Sequence, residues 1–426
     1  MRSYPIDVRI NELVEFAKKK FGLNNYYLQD YQFYRSINFF NETVYTLSME
    51  WFPNHAVLEE DGSNPEGTAS IELDITSRKI KSAIFVMGKS FAIDGVKFSN
   101  NKDDVIKWVE NETGLQFGTQ FNIHKENEGE FYFMACVDGV SVSPSGYIDV
   151  KFNADGKLTL FSIHGQFPSK NLIKEGKFTL TLDRLGDLKK EQLKLIESHL
   201  YDQKKIIYIY AMEEIFVTND GETTIKFEAF ADKSQFLKIN QTIYWDEPIN
   251  KPFKRKKIRW VEELTAEQAF SCEPSPDSFP ITKVDQEKCM MAVKNLLRME
   301  YPNESGNWIL NFLYRDKGYI HVTLKENKQN NRLFQRKIKV MIDGTSLQVV
   351  NYMDSKLLLN VFDNFQEPPL ITISKDQAYQ KLKQFFELRP FYVYDLNRKH
   401  YVLCGKLDCH YGVNATSGEV RALDDL

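Results

Sequence analysis

Five times along this chain an alternating apolar strand meets a turn of Asp, Asn, Ser and Gly and resumes as a second alternating strand, a pattern that commits the chain to antiparallel pairing. The first copy is Ile71-Glu-Leu73-Asp-Ile75, turning at Thr76-Ser77-Arg78-Lys79 into Ile80. The second is Ile148-Asp-Val150-Lys-Phe152, turning at Asn153-Ala154-Asp155-Gly156 into Leu158-Thr-Leu160. Ile225-Lys-Phe227 passes Asp232-Lys233-Ser234 into Phe236, Ile338-Lys-Val340-Met-Ile342 passes Asp343-Gly344 into Leu347, and Cys409-His-Tyr411-Gly-Val413 passes Asn414 to Gly418 into Val420. Gly, Asn and Asp tolerate the positive φ of a tight reversal, so each junction has a mechanism as well as a pattern.

Amphipathic helices are predicted between the hairpins. The first runs from Ile6 to Phe21, with Ile6, Ile10, Leu13, Val14 and Ala17 on one stripe and Gly22 as its stop. Others cover Lys102 to Thr113, Leu188 to Leu200 and Asp285 to Met299. A last one starts at Ser374, where Ser374-Lys-Asp-Gln377 forms a capping box, and Thr265-Ala-Glu-Gln268 repeats that signature. One apolar stripe per helix and one apolar face per meander predict an α+β fold of repeated helix-plus-antiparallel-sheet units. At 426 residues the chain exceeds what one core usually serves. The expected division is two repeat units in residues 1–168, a single unit in 169–255 and two more in 262–426, with the junction at Lys251 to Arg259 and Pro274-Ser-Pro276.

A hydrophobic share of 42% and a charged share of 27% belong to an ordinary globular protein and argue against disorder. The net charge of -4 supplies no global attraction to nucleic acid or anionic lipid, so any such binding needs a local patch. No window approaches the roughly 20 apolar residues of a membrane span. The first residues carry charge and no signal-like apolar run, so a cytoplasmic protein is the expectation. Five widely spaced cysteines do not make a disulfide framework.

The stretch Val137-Asp138-Gly139-Val140-Ser141-Val142, continued by Gly146-Tyr-Ile148-Asp-Val150-Lys-Phe152-Asn153-Ala-Asp155-Gly156-Lys-Leu158, resembles the YcdB/YcdC repeat domain of Bacillus-type bacteria, a relative of PepSY modules. Ile373-Ser374-Lys-Asp-Gln377-Ala378 and Val413-Asn-Ala-Thr-Ser417-Gly418-Glu-Val420 are similar to the same modules. The resemblance implies PepSY-like units and a noncatalytic binding or inhibitory role, PepSY modules often being proposed to modulate peptidases. The first and third hairpins depart from the pattern in lacking the turn glycine.

Candidate chemistry is sparse. Gly88-Lys89-Ser90 follows an apolar strand, but a phosphate loop would place its first glycine at Ala83, inside that strand, and no helix pattern follows Ser90. Cys404, Cys409 and His410 offer soft zinc ligands with no fourth, and strand alternation reads them as buried thiols beside an outward His. The seven histidines stand singly, and no nucleophile elbow occurs. Acidic groups such as Glu59-Glu60-Asp61, Glu213-Glu214 and Asp424-Asp425 lack the convergence that glycosidic chemistry needs. No catalytic residue, cofactor or metal is therefore assigned.

The asymmetric surface feature is the basic run with Lys254, Arg255, Lys256 and Lys257, flanked by Trp260. It reads either as a binding patch, with Trp260 available for stacking, or as a charged linker whose lysines discourage pairing at a sheet edge. The leading expectation is a noncatalytic protein that holds a protein, peptide or envelope component on sheet faces and does not bind nucleic acid. The competing expectation is a hydrolase with a site assembled from distant strands.

Overall fold

The computed structural model describes residues 7–57, 62–99, 101–226, 236–260, 262–327, 335–362, 364–366 and 368–425. It divides into two compact units. The first comprises Met1–Lys174, Val261–Ser278 and Tyr392–Val402, and the second Glu175–Trp260, Phe279–Phe391 and Leu403–Leu426.

The expectation of repeated helix-plus-sheet units is overturned. Among the described residues strand outweighs helix by 40% to 23%, and the strands form sheets of thirteen, four and five. The reason lies at the sheet edges. A helix over three or four strands would bury little and leave two open edges. Instead Ile80–Phe85 pairs with Leu158–His164, setting Ser82 opposite Ser162 and Ile84 opposite Leu160. The first unit thereby carries an unbroken order: Tyr26–Ile37, Thr43–Pro53, Ala69–Asp74, Ile80–Phe85, Leu158–His164, Tyr147–Phe152 and Glu130–Val137. Phe121–Asn127 also pairs with Glu130–Val137.

Both long helices of this unit pack on one apolar face. Helix Val8–Lys20 begins where the Asp7 carboxylate accepts the Arg9 N–H and buries Ile10, Leu13, Val14 and Ala17. Helix Lys102–Thr113 is capped by Asn101, stops at Gly114 in the left-handed region and buries Val105, Ile106 and Val109. Their stripes share a core with Leu47, Met49, Trp51, Ile71, Phe133, Ile148 and Phe161.

In the second unit helix Lys283–Glu300 lays Cys289, Val293, Leu296 and Leu297 into a core with Trp308, Leu310, Ile320 and Val322. That core belongs to the five-stranded sheet, ordered Leu237–Ile243, Trp308–Asp316, Tyr319–Glu326, Lys337–Asp343 and Val349–Asp354. Helix Lys375–Leu382, opened by the expected Ser374–Gln377 capping box, contributes Ala378 and Leu382 to a second cluster with Leu193, Met212, Leu407 and Val413. The helix expected over Leu188 to Leu200 exists only as the turn Leu188–Glu191; Leu193–Leu200 is a strand paired with Lys205–Met212. Leu193, Leu195, Glu197 and His199 alternate with period two, and that pairing prevails over the helical spacing.

Three hairpins turn by one device. The Asp74 side chain accepts the N–H groups of Thr76 and Ser77 at 3.0 and 2.7 Å. Asp343 does the same for Thr345 and Ser346, and Asn414 for Thr416 and Ser417. Positive φ then falls on Arg78, Leu347 and Gly418. The side-chain acceptor fixes the turn, so the first hairpin reverses without glycine. The reversal expected at Asp232 to Ser234 lies outside the described residues. Before it, Thr224–Lys226 pairs with Ile215–Thr218; beyond it, Leu237–Ile243 joins the five-stranded sheet. Ile6 and Glu59-Glu60-Asp61 also lie outside the described residues. No described helix is long and apolar enough to cross a membrane.

Candidate functional site

Strand alternation in the first unit sends Phe131 and Phe133, Ile148 and Val150, and Ile71 and Leu73 to the helix-covered side. The intervening residues Tyr132, Asp149 and Glu72 therefore stand on the other side, where they are half-buried. Register aligns this second face across seven strands. Ser48 lies opposite Glu72, Glu72 opposite Ser82, Ser82 opposite Ser162, Ser162 opposite Asp149, Asp149 opposite Tyr132, and Tyr132 opposite Lys125. At the ordinary spacing between strands this row spans about 30 Å.

Aromatic rings concentrate at one end of it. Tyr132 and Tyr147 stack with centroids 5.7 Å apart and planes 21° from parallel, while the His124 ring meets the edge of Tyr132 at 5.7 Å. His164 lies opposite Tyr147 in register, and both histidines are exposed. Burial, then the neighbouring Tyr147 and Asp149, push the Tyr132 hydroxyl above its ordinary pKa, so it remains a neutral donor at physiological pH. Glu130 and Lys151 form an ion pair of 3.0 Å beside the rings. With that pair self-compensated, Glu50, Glu72 and Asp149 face Lys81 and Lys125, leaving a modest acidic excess. A ligand at the aromatic end of this face meets π surfaces, carboxylates and imidazoles, a chemistry suited to cationic side chains.

The basic run lies elsewhere, in the second unit, in extended backbone beside the strand Val349–Asp354. The Lys256 N–H donates to the Val350 carbonyl at 2.8 Å, and Asn351 Nδ2 donates to the Lys256 carbonyl at 3.3 Å. The Arg255 guanidinium lies 4.1 Å from the Tyr352 ring centroid, and Lys317 Nζ sits 6.0 Å from that of Trp260. Lys254, Lys256, Lys257 and Trp260 are exposed. The segment thus lines the outer edge of the five-stranded sheet, with Arg255 turned back onto a ring.

Cys404 and Cys409 are buried and His410 is exposed. The Cys409 thiol donates to the Tyr411 carbonyl at 3.5 Å, and burial pushes its pKa up. Next to it is a charged cluster. The buried Asp408 carboxylate takes Lys406 Nζ at 3.0 Å and an Arg389 nitrogen at 3.2 Å, while Lys406 also reaches Glu214 at 2.9 Å. Burial alone would raise the Asp408 carboxyl, but the Lys406 ammonium, the Cys409 N–H and the nearby His410 hold it below its usual range. It is an ionised anchor for two cations rather than a proton donor. At Gly88-Lys89-Ser90 a 3-10 turn, Val86–Gly88, ends without a following helix, and Lys89 pairs with Glu66.

Sequence reasoning chose the lysine run and passed over Tyr132, Tyr147, His124, His164 and Asp149. A signal existed in Tyr132 and Tyr147, two aromatics placed in the polar phase of alternating strands. Their stacking depends on the pairing of Tyr147–Phe152 with Glu130–Val137, which no local pattern announces.

No family model and no curated protein matches the chain. Among solved structures it is similar to the YpeB C-terminal domain of Bacillus megaterium, at 9% identity and a TM-score of 0.25, over 81% of this chain and 96% of that one. It also aligns with a member of the DUF4221 family from Bacteroides vulgatus at 8% identity and a TM-score of 0.11, over 94% and 99%.

Proposed function

We propose that this is a noncatalytic binding protein whose first unit holds an extended, basic peptide segment across its open sheet face. The observation that carries this reading is the Tyr132–Tyr147 stack beside Asp149 on the uncovered side of a sheet. A lysine or arginine side chain gains a ring face and a carboxylate there, and the exposed His124 and His164 beside the rings supply further hydrogen-bonding groups. The YcdB/YcdC resemblance of Val137 to Leu158 implies the same noncatalytic role. A hydrolase would need a carboxylate or imidazole of shifted pKa facing a cleft. The Asp408 cluster, with its charges matched, does not supply one.

The test is fluorescence anisotropy with labelled peptides of alternating Lys-Thr and alternating Glu-Thr sequence. The Lys-Thr peptide is expected to bind more tightly. Replacing both Tyr132 and Tyr147 by Ala removes two exposed cation–ring contacts of about 0.5–1 kcal/mol each and should weaken binding about tenfold. Equal binding of the two peptides, or full affinity in a double variant with unchanged circular dichroism, refutes the reading.

A further inference from the structure

Beyond the sheet face, the first unit has a pocket of about 150 Å³, open to solvent at Asp94 and Lys97, between the end of helix Val8–Lys20 and the segment that follows Ile80–Phe85. Its floor is apolar, made by Phe21, Phe85 and Leu158, each at most 3% exposed, and by Ala92. Charged groups of both signs line the same space: Asp94 is one, Lys97 and Lys157 are the others. Lys157 Nζ donates to the Ala92 carbonyl at 3.1 Å, which leaves N–H donors of its ammonium free to meet a ligand.

The walls are fixed by backbone contacts. The Ile93 N–H donates to the Gly22 carbonyl at 2.9 Å and the Leu158 N–H to the Val96 carbonyl at 3.0 Å. A Cβ on Gly22 would come within 2.1 Å of the Ile93 carbonyl oxygen, so glycine is required where the two segments touch. Asp94 is held at φ 56°, a conformation that Asp tolerates better than most residues. The site is thus preformed, and a ligand entering it pays little ordering cost.

We infer that this cavity is a binding site for a free α-amino acid with a small apolar side chain. Such a molecule carries the two charges that Asp94 and the lysines complement, and an aliphatic group for the floor. The volume, room for about five waters, limits it to a small side chain. A carboxylate or an amine alone would satisfy one side and leave the other charge unmatched.

The experiment is isothermal titration of the full chain with L-valine, valinamide and isobutyrate at up to about 10 mM, a range that detects millimolar affinity. L-valine should bind, and each single-charge analogue should bind about tenfold more weakly, as expected for loss of one charge-assisted contact. Asp94→Asn, at an exposed position, should weaken L-valine about tenfold. Ala92→Leu, which fills the cavity, should abolish binding. No heat with L-valine, equal affinity for the analogues, or undiminished binding in Asp94→Asn overturns the inference. So does undiminished binding in Ala92→Leu.

Discussion

Leu297→Ala probes the core of the second unit. Leu297 is 0% exposed on helix Lys283–Glu300 and packs in the cluster that contains Val293, Leu296, Trp308 and Leu310. Truncation withdraws three carbons from that environment, at about 0.8 kcal/mol each, or roughly 2.4 kcal/mol of transfer free energy. The partly collapsed hole adds about 1–2 kcal/mol, giving about 3–4 kcal/mol within the range of roughly 2–5 known for buried leucines. With a urea slope near 3 kcal/mol per molar, the unfolding midpoint should fall by about 1 M. Two units need not unfold together, so the assay pairs urea titration with hydrogen exchange resolved by peptide. Faster exchange should concentrate in Lys283–Glu300 and the strands Trp308–Asp316 and Tyr319–Glu326. An unchanged midpoint, or exchange that rises only in the first unit, would refute the packing argument.

Other outcomes follow from charge and burial. Cys272 is exposed and the other four cysteines are buried, with burial pushing Cys289 up to about 11 and raising Cys136 and Cys409. Ellman's reagent at pH 8 should therefore titrate one thiol quickly, lose that phase in Cys272→Ser, and reach all five only in denaturant. Arg336 holds Asp354 with bonds of 3.1 and 2.7 Å and also meets Glu304; Arg336→Met should cost about 2 kcal/mol, measured by the same urea titration, because it leaves two half-buried carboxylates without their cation. Burial alone would raise the Asp354 carboxyl, but Arg336, the Lys356 N–H and the Tyr301 hydroxyl bring it below its ordinary value. A depressed folded pKa stabilises fully above the unfolded value of about 3.9 and ceases to as pH falls through the folded one. The midpoint of the second unit should thus drop below about pH 4, and Asp354→Asn should flatten that drop. Oligonucleotide anisotropy at physiological salt should give dissociation constants weaker than about 10⁻⁴ to 10⁻⁶ M. Micromolar binding lost on changing Lys254, Arg255, Lys256 and Lys257 to Ser would reverse that expectation.

Local features were legible where the chemistry is local. The Ser374–Gln377 and Thr265–Gln268 capping boxes form as read, and Gly114 ends its helix in the left-handed region. Hairpins at Asp74, Asn153 and Asp343 pair as the alternation implied. Partnership between distant strands was not legible. Nothing in Ile80 to Phe85 says that its free edge meets Leu158–His164 rather than solvent, yet this one pairing converts two expected units into one sheet. The same gap hid the candidate site, because Tyr132 and Tyr147 look unrelated until register brings their rings together.

The division of the chain has a consequence for biosynthesis. The first unit includes Met1–Lys174 but also needs Val261–Ser278 and Tyr392–Val402. A ribosome that has released Lys174 must add about 230 more residues before the last of these segments emerges, which takes roughly 10 to 45 s at ordinary elongation rates. Through that interval the nascent strands stay incomplete. Early hairpins close on their own Asp and Asn side chains, whereas the finished unit waits until Tyr392–Val402 has been made. Demand for chaperones should therefore be greatest during that interval.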